Sequence, residues 1–297
     1  MNATLVLVHG RKQEWKDPVE LRRTWQAGLA AGLVKAGLPP VDGPVLFPYF
    51  GNVLRRITDT LAQSNAAIDL ETLPSDPDRP GPLHPWLGSD IGVMERKMLE
   101  DMAVGAGWVP GNADDDLERL SDVLSWSVAR HALDWLGRTT PFDQAFIAAH
   151  LRDVAVYLTR ARAEVLSHVR EQLPSDGPVV LVSHSLGTVV ARDLLGDPGL
   201  RARTVLWVTA GSPLGIDAVR KNLGHPTYAD NPGVEWLSAY DVNDIVALGH
   251  PLRRKWGPPL KDVEVENGEA PHSIERYLGH PEVAGPIGAA LAAKGPA

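Results

Sequence analysis

The chain has 297 residues, of which 44% are hydrophobic and 22% charged, an ordinary composition for a globular protein of one large α/β domain or two small ones. It has no cysteine, which excludes disulfides, thiolate metal sites and a cysteine nucleophile together. The net charge of −8 and the lack of any long Lys/Arg run argue against a nucleic-acid binder; the one dense basic cluster, Arg253-Arg254-Lys255, reads as a solvated loop.

In chain order, Leu5 to Val8 is an unbroken apolar run, the pattern of a strand buried on both faces in a parallel sheet, and His9-Gly10 follows it at once. The run has no cationic start and is too short for a secretion signal. No apolar run approaches the ~18 residues a membrane span needs, so a cytoplasmic protein without a membrane span is expected. Apolar residues between Pro18 and Ala36 recur at helical spacing, and Gly37 with Pro39-Pro40 stops that helix. Val45 to Phe47 is a second short strand. Between about 52 and 138 the pattern is that of an insertion: a loop at Pro74 to Pro80, helices near Val93 to Met102 and Leu117 to Leu136, and tryptophans Trp86, Trp108, Trp126 and Trp135. Those tryptophans either line an apolar acyl pocket or pack the insertion onto the sheet. A long helix is expected from Phe142 to Gln172.

From Pro178 strands and helices alternate: strand Val179 to Val182, helix Leu186 to Leu195, strands Thr204 to Val208 and Val234 to Tyr240, an outer strand Val263 to Glu266, and a final helical stretch from Ile274. Such alternation implies a mostly parallel sheet covered by helices on both faces. No internal repeat or interdomain linker is visible, so 1–297 reads as a single domain with 52–138 as a helical lid or cap insertion.

The segment Val179 to Val190 is the most informative. A strand ends in Ser183-His184-Ser185-Leu186-Gly187 and a helix begins, with small residues two positions either side of Ser185. A nucleophile on so tight a turn needs small residues there to avoid clashes, and its place at a helix start favours an oxyanion. Here the chain resembles the α/β-hydrolase superfamily, whose nucleophile elbow is G-x-S-x-G; Ser183 replaces the first glycine. The resemblance implies a three-layer α/β/α fold with about six strands, and Ser185 as nucleophile. It implies that the loop opened by His9-Gly10 lends a backbone N–H, from Arg11 or a near neighbour, which with the N–H of Leu186 forms an oxyanion hole. The bland reading of His9 is that it only orders the loop through a side-chain hydrogen bond, which does not exclude the role of the backbone.

Superfamily order then places the acid after Ser185 and the base after the acid. Two acids follow the strand ending at Tyr240. Asp244 in Asp244-Ile245-Val246 resembles the acid loop of lipase-like members, and Asp241 reads as a turn-ordering residue. His272, in the loop after the last strand, is the expected base; His250 lies too close to the acid loop and His280 at a helix end. His84, His131, His150, His168 and His225 read as surface or lid residues. No H-E-x-x-H, no histidine pair at i, i+4 and no P-loop is present, so no metal or cofactor is expected. The function implied is hydrolysis of a small-molecule acyl substrate, an ester first and a thioester or amide second, through an acyl-enzyme. The competing reading is a catalytically silent binding or scaffold module on the same fold.

Overall fold

The computed structural model describes residues 3–72, 90–108, 132–133, 135–224 and 231–293. Six strands, β1 (Thr4–Val8), β2 (Val45–Leu46), β3 (Val179–His184), β4 (Thr204–Ala210), β5 (Trp236–Tyr240) and β6 (Lys261–Glu264), form one all-parallel sheet in the order β2-β1-β3-β4-β5-β6. The helices are α1 (Pro18–Lys35), α2 (Gly51–Thr72), α3 (Asp90–Gly105), α4 (Gln144–Val156), α5 (Arg162–Arg170), α6 (Leu186–Leu194), α7 (Pro198–Arg203), α8 (Asp217–Lys221), α9 (Arg253–Trp256), α10 (Ile274–Leu278) and α11 (Pro281–Ala292).

Alternate strand residues enter opposite cores, as the two-residue period of a strand demands. Leu5 and Leu7, Val180 and Val182, and Leu206 and Val208 pack under α1, α10 and α11 with Trp25, Leu29, Leu33, Tyr277 and Ile287. Val6 and Val8, Val179 and Leu181, and Trp207 face the other layer, built from α2 to α6. Burial on both faces explains why these strands read as continuous apolar runs. The chain runs from β1 outward to β2 and then returns to the far side of β1 as β3. That reversal opens a crevice beyond the carboxyl ends of β1 and β3, where open α/β sheets bind ligands.

Most elements fall where the sequence puts them, with four main differences. The basic cluster Arg253-Arg254-Lys255, read as a solvated loop, forms the short helix α9. β6 spans Lys261–Glu264 rather than Val263 to Glu266; it is the edge strand, and its register is set by pairing with β5, not by the Val/Glu alternation. α2 was not expected; its core-facing residues Leu54, Ile57 and Leu61 nonetheless recur at helical spacing. The long helix expected from Phe142 is α4 and α5 joined through one wider π-helical turn at Tyr157–Ala161. Residues 132–133 and 135–139 are helical, but the rest of the expected 117–136 helix and the loop at Pro74 to Pro80 lie outside the described residues, as do Trp86 and Trp126. Trp108 and Trp135 are partly buried against the core under α2 to α6.

Among the described residues no helix is long and apolar enough to cross a membrane, and no group of His, Asp and Glu is arranged to hold a metal ion.

Candidate active site

Ser185 occupies the turn between β3 and α6 with φ 55° and ψ −133°, a conformation that costs a non-glycine residue on the order of 1–3 kcal/mol and persists only where the surroundings enforce it. The surroundings do so by contact. The Ser185 N–H bonds the Ala210 carbonyl at 3.1 Å, and the Thr188 hydroxyl bonds the Ser185 carbonyl at 2.7 Å. A Cβ on Gly187 would lie 2.3 Å from the carbonyl oxygens of Val8 and His9, so only glycine lets α6 start against the end of β1. Ser183, the departure from the glycine pattern, points between β3 and β4, where its hydroxyl donates to the Val208 carbonyl and accepts the Trp207 indole N–H, each at 3.0 Å.

His9 orders the preceding loop with its side chain. Its Nε2 accepts the Phe50 N–H at 3.0 Å, which leaves the proton on Nδ1 to donate to the Gly10 carbonyl at 2.6 Å. Burial lowers its pKa to about 4, so the ring is neutral. The loop brings Gly10 against Ser185, where an added Cβ would meet the Ser185 Cβ at 2.7 Å. Arg11 follows, its Nε 2.5 Å from Asp153 Oδ2 on α4. The N–H of Leu186 opens α6, where first-turn amides have no intrahelical acceptor.

Asp244 and His272 meet across 28 residues of chain, with His272 Nδ1 2.8 Å from Asp244 Oδ2. The Asp244 carboxylate is fully buried and also accepts the Val246 N–H at 3.0 Å and the Tyr277 hydroxyl at 2.8 Å. An ionised carboxylate can only accept, so it draws the His272 proton to Nδ1 and leaves Nε2 with a lone pair. Asp241 does something else. Its two oxygens accept the N–H groups of Asn243 at 2.7 Å and Asn267 at 2.6 Å, which ties the β5 turn to the His272 loop.

Ser185 and His272 line one cavity of about 270 Å³, together with residues of the 9–13 loop, Trp25, Phe146 and His184. The Ser185 hydroxyl is buried and, among the described residues, makes no hydrogen bond to His272 or to any other group. No described residue of 52–138 lines this cavity. Three other histidines are engaged elsewhere. His250 bonds Ser238 Oγ at 3.0 Å and the Ala247 carbonyl, His280 bonds Asn267 at 3.1 Å, and His168 bonds the Tyr49 carbonyl at 3.0 Å. His84, His131 and His225 lie outside the described residues.

His150 is a correction. It is not a surface residue but is 1% exposed on α4, with its ring 6.2 Å from that of His272. It lies on the core-facing side of a helix that the tertiary fold carries over the site, which spacing along the chain does not reveal.

Four groups that sequence reasoning passed over complete the arrangement. Tyr277 bridges the two aspartates, taking the Asp241 N–H at 3.0 Å while donating to Asp244. Gly211, with φ 54°, leaves space for the Asp244–His272 pair: a Cβ there would lie 2.7 Å from Asp244 Oδ2 and 3.0 Å from His272 Nδ1. Asn267 holds the His272 loop by a 2.9 Å bond to the Pro271 carbonyl. His184 donates from Nε2 to the His272 carbonyl at 3.1 Å, its ring centroid 4.5 Å from that of His272. Burial pushes the His184 pKa down, and the neighbouring His272 adds to the shift, so His184 stays neutral. Only its place inside the elbow pentapeptide could have flagged it.

Among known protein families, residues 112–252 match the one described as PGAP1: PGAP1-like alpha/beta domain, a stretch that includes Ser185 and Asp244 and ends before His272. No curated protein and no solved structure matches the chain.

Proposed function

From the premise that the chain belongs to the α/β-hydrolase superfamily, we propose that it is a serine hydrolase that cleaves an acyl ester through Ser185, His272 and Asp244. The observation that carries the reading is the 2.8 Å bond from His272 to a buried carboxylate, beside a serine held in a strained turn on the same cavity. A serine hydroxyl needs a base at neutral pH, and the base needs an acid to fix its tautomer. In the proposed reaction Ser185 Oγ adds to the carbonyl carbon while His272 Nε2 takes its proton. The N–H groups of Leu186 and Arg11 receive the oxyanion; losing one such donor costs ~3 kcal/mol of transition-state stabilisation. Collapse expels the alcohol, protonated by His272, and water then resolves the acyl-enzyme by the same route. Short or medium acyl esters are the first substrates to try, with a thioester and an amide as controls.

One observation favours a silent binding module: the Ser185 hydroxyl is not bonded to His272. Catalytic hydrogen bonds are often long before substrate binds and tighten in the complex, which is why the enzyme reading is preferred. A fluorophosphonate probe decides. Labelling at Ser185 that vanishes in Ser185→Ala and weakens in His272→Ala supports the enzyme; a folded, unlabelled protein supports the binding module.

A further inference from the structure

We infer that the substrate carries an oxyanion, a carboxylate or a phosphate, close to the bond that is cleaved, and that Arg11 and His150 receive it. This rests on the serine-hydrolase reading and names the substrate class for that site. The side chain of Arg11 is only 7% exposed; Asp153 engages its Nε, while its Nη1 is buried with no acceptor among the described residues. His150 is buried and, among the described residues, has no partner on either ring nitrogen. Phe146 joins them: its ring centroid lies 5.9 Å from the Arg11 guanidinium carbon, 6.4 Å from the His150 ring, 6.2 Å from the His272 ring and 5.4 Å from the Lys12 ammonium. Arg11, Lys12 and Phe146 line the cavity that holds Ser185 and His272.

The chemistry of these donors selects the ligand. A guanidinium has five N–H donors and no acceptor, so only an acceptor completes Nη1. A neutral imidazole offers one donor, and burial followed by the charge of Arg11 keeps His150 neutral. Each buried polar group left without a partner costs ~1–3 kcal/mol; Arg11 lines the cavity that holds Ser185 and the His150 ring lies 6.2 Å from that of His272, so an acceptor bound there would satisfy them. On the cavity wall Arg11 and Lys12 are cations and Glu275 an exposed carboxylate, with Asp153 already offsetting Arg11, so the choice of an anion rests on the spare Nη1 donor, which a charged acceptor completes more strongly than a neutral hydroxyl. An apolar acyl chain alone would leave the donors unmatched, and sites built to bond a polar group reject analogues that lack it.

The test compares p-nitrophenyl hemisuccinate with p-nitrophenyl butyrate and the neutral p-nitrophenyl 4-hydroxybutyrate. The expected kcat/KM for the anionic ester exceeds that for butyrate by at least about tenfold. That ratio falls toward one in Arg11→Met and in His150→Phe, and falls partway in the surface variant Lys12→Met, which covers the case in which the buried variants do not fold. A wild-type preference for either neutral ester, or a ratio unchanged in the folded variants, overturns the proposal. Free succinate and inorganic phosphate, tried as competitive inhibitors, separate a carboxylate from a phosphate ligand. If no ester is turned over and Ser185 is not labelled, the hydrolase reading has failed by itself. The anion site is then decided by melting temperature: a rise with succinate or phosphate in the wild type that is lost in Lys12→Met supports it, and no rise with either overturns it.

Discussion

Replacing Tyr277 by phenylalanine deletes one oxygen from the centre of the site and leaves the ring, 0% exposed, in its packing against α1 and the sheet. Two bonds go with it. The hydroxyl donates to Asp244 Oδ2 at 2.8 Å, a bond to a charged group worth ~1.5–3 kcal/mol. It also accepts the Asp241 N–H at 3.0 Å, and that buried donor is left unsatisfied at a cost of ~1–3 kcal/mol. Because both bonds share one atom the terms do not add fully, and the expected loss of stability is about 2–4 kcal/mol. Asp244 keeps its bonds to His272 and to the Val246 N–H, so the imidazole remains held but less tightly. The rate of fluorophosphonate labelling at Ser185 should therefore drop about 10- to 100-fold, the scale of a small misplacement of a catalytic group. Urea unfolding and labelling rates measure the two effects on one sample. A stability within about 0.5 kcal/mol of wild type, the usual range of surface changes, would refute the bridge. So would labelling lost as completely as in Asp244→Asn.

The two aspartates separate in their own variants. Asp244→Asn should keep the fold and cut kcat by about 10⁴, since the amide favours the wrong histidine tautomer. Asp241→Asn turns an amide NH₂ toward one of two backbone donors, and should cost about 1–3 kcal/mol in urea unfolding with a smaller effect on labelling; the reverse pattern would exchange their roles. His184→Ala should slow labelling while His184→Gln, which restores an N–H for the His272 carbonyl, regains part of the rate; equal rates in the two would make His184 a packing residue only. Stability should fall as pH drops. His9 titrates near 4 in the fold against 6.5 unfolded, so between those values the unfolded chain binds the extra proton and unfolding is favoured progressively on acidification. For His9 the loss is about 3 kcal/mol by pH 4, and His250, also lowered to about 4 by burial but partly exposed, adds in the same direction. A His9→Asn variant with the same slope between pH 6.5 and 4 would show the ring titrates normally.

The strained turn at Ser185 was legible in the sequence because its constraint is local. A serine forced to φ 55° between a buried strand and a helix needs small neighbours at fixed positions, and those are written into five consecutive residues. The strands were legible because burial on both faces leaves an apolar run. β6 slid by two residues because an edge strand takes its register from one partner. α2 went unread because its polar composition hides a spacing that matters only once the core under α4 is there to receive it.

Sequence by itself determined the sheet's alternating architecture and offered Ser185, His272 and Asp244, with Asp241 as the alternative acid, as candidates. Tertiary structure alone decided which partners those residues have: Tyr277 between two aspartates, Gly211 beneath the Asp244–His272 pair, His184 against the His272 main chain, and Arg11 and His150 with polar atoms left over. The reason is physical. Backbone conformation depends on neighbours along the chain, whereas hydrogen-bond satisfaction in a buried site depends on groups that the polymer brings together from far apart.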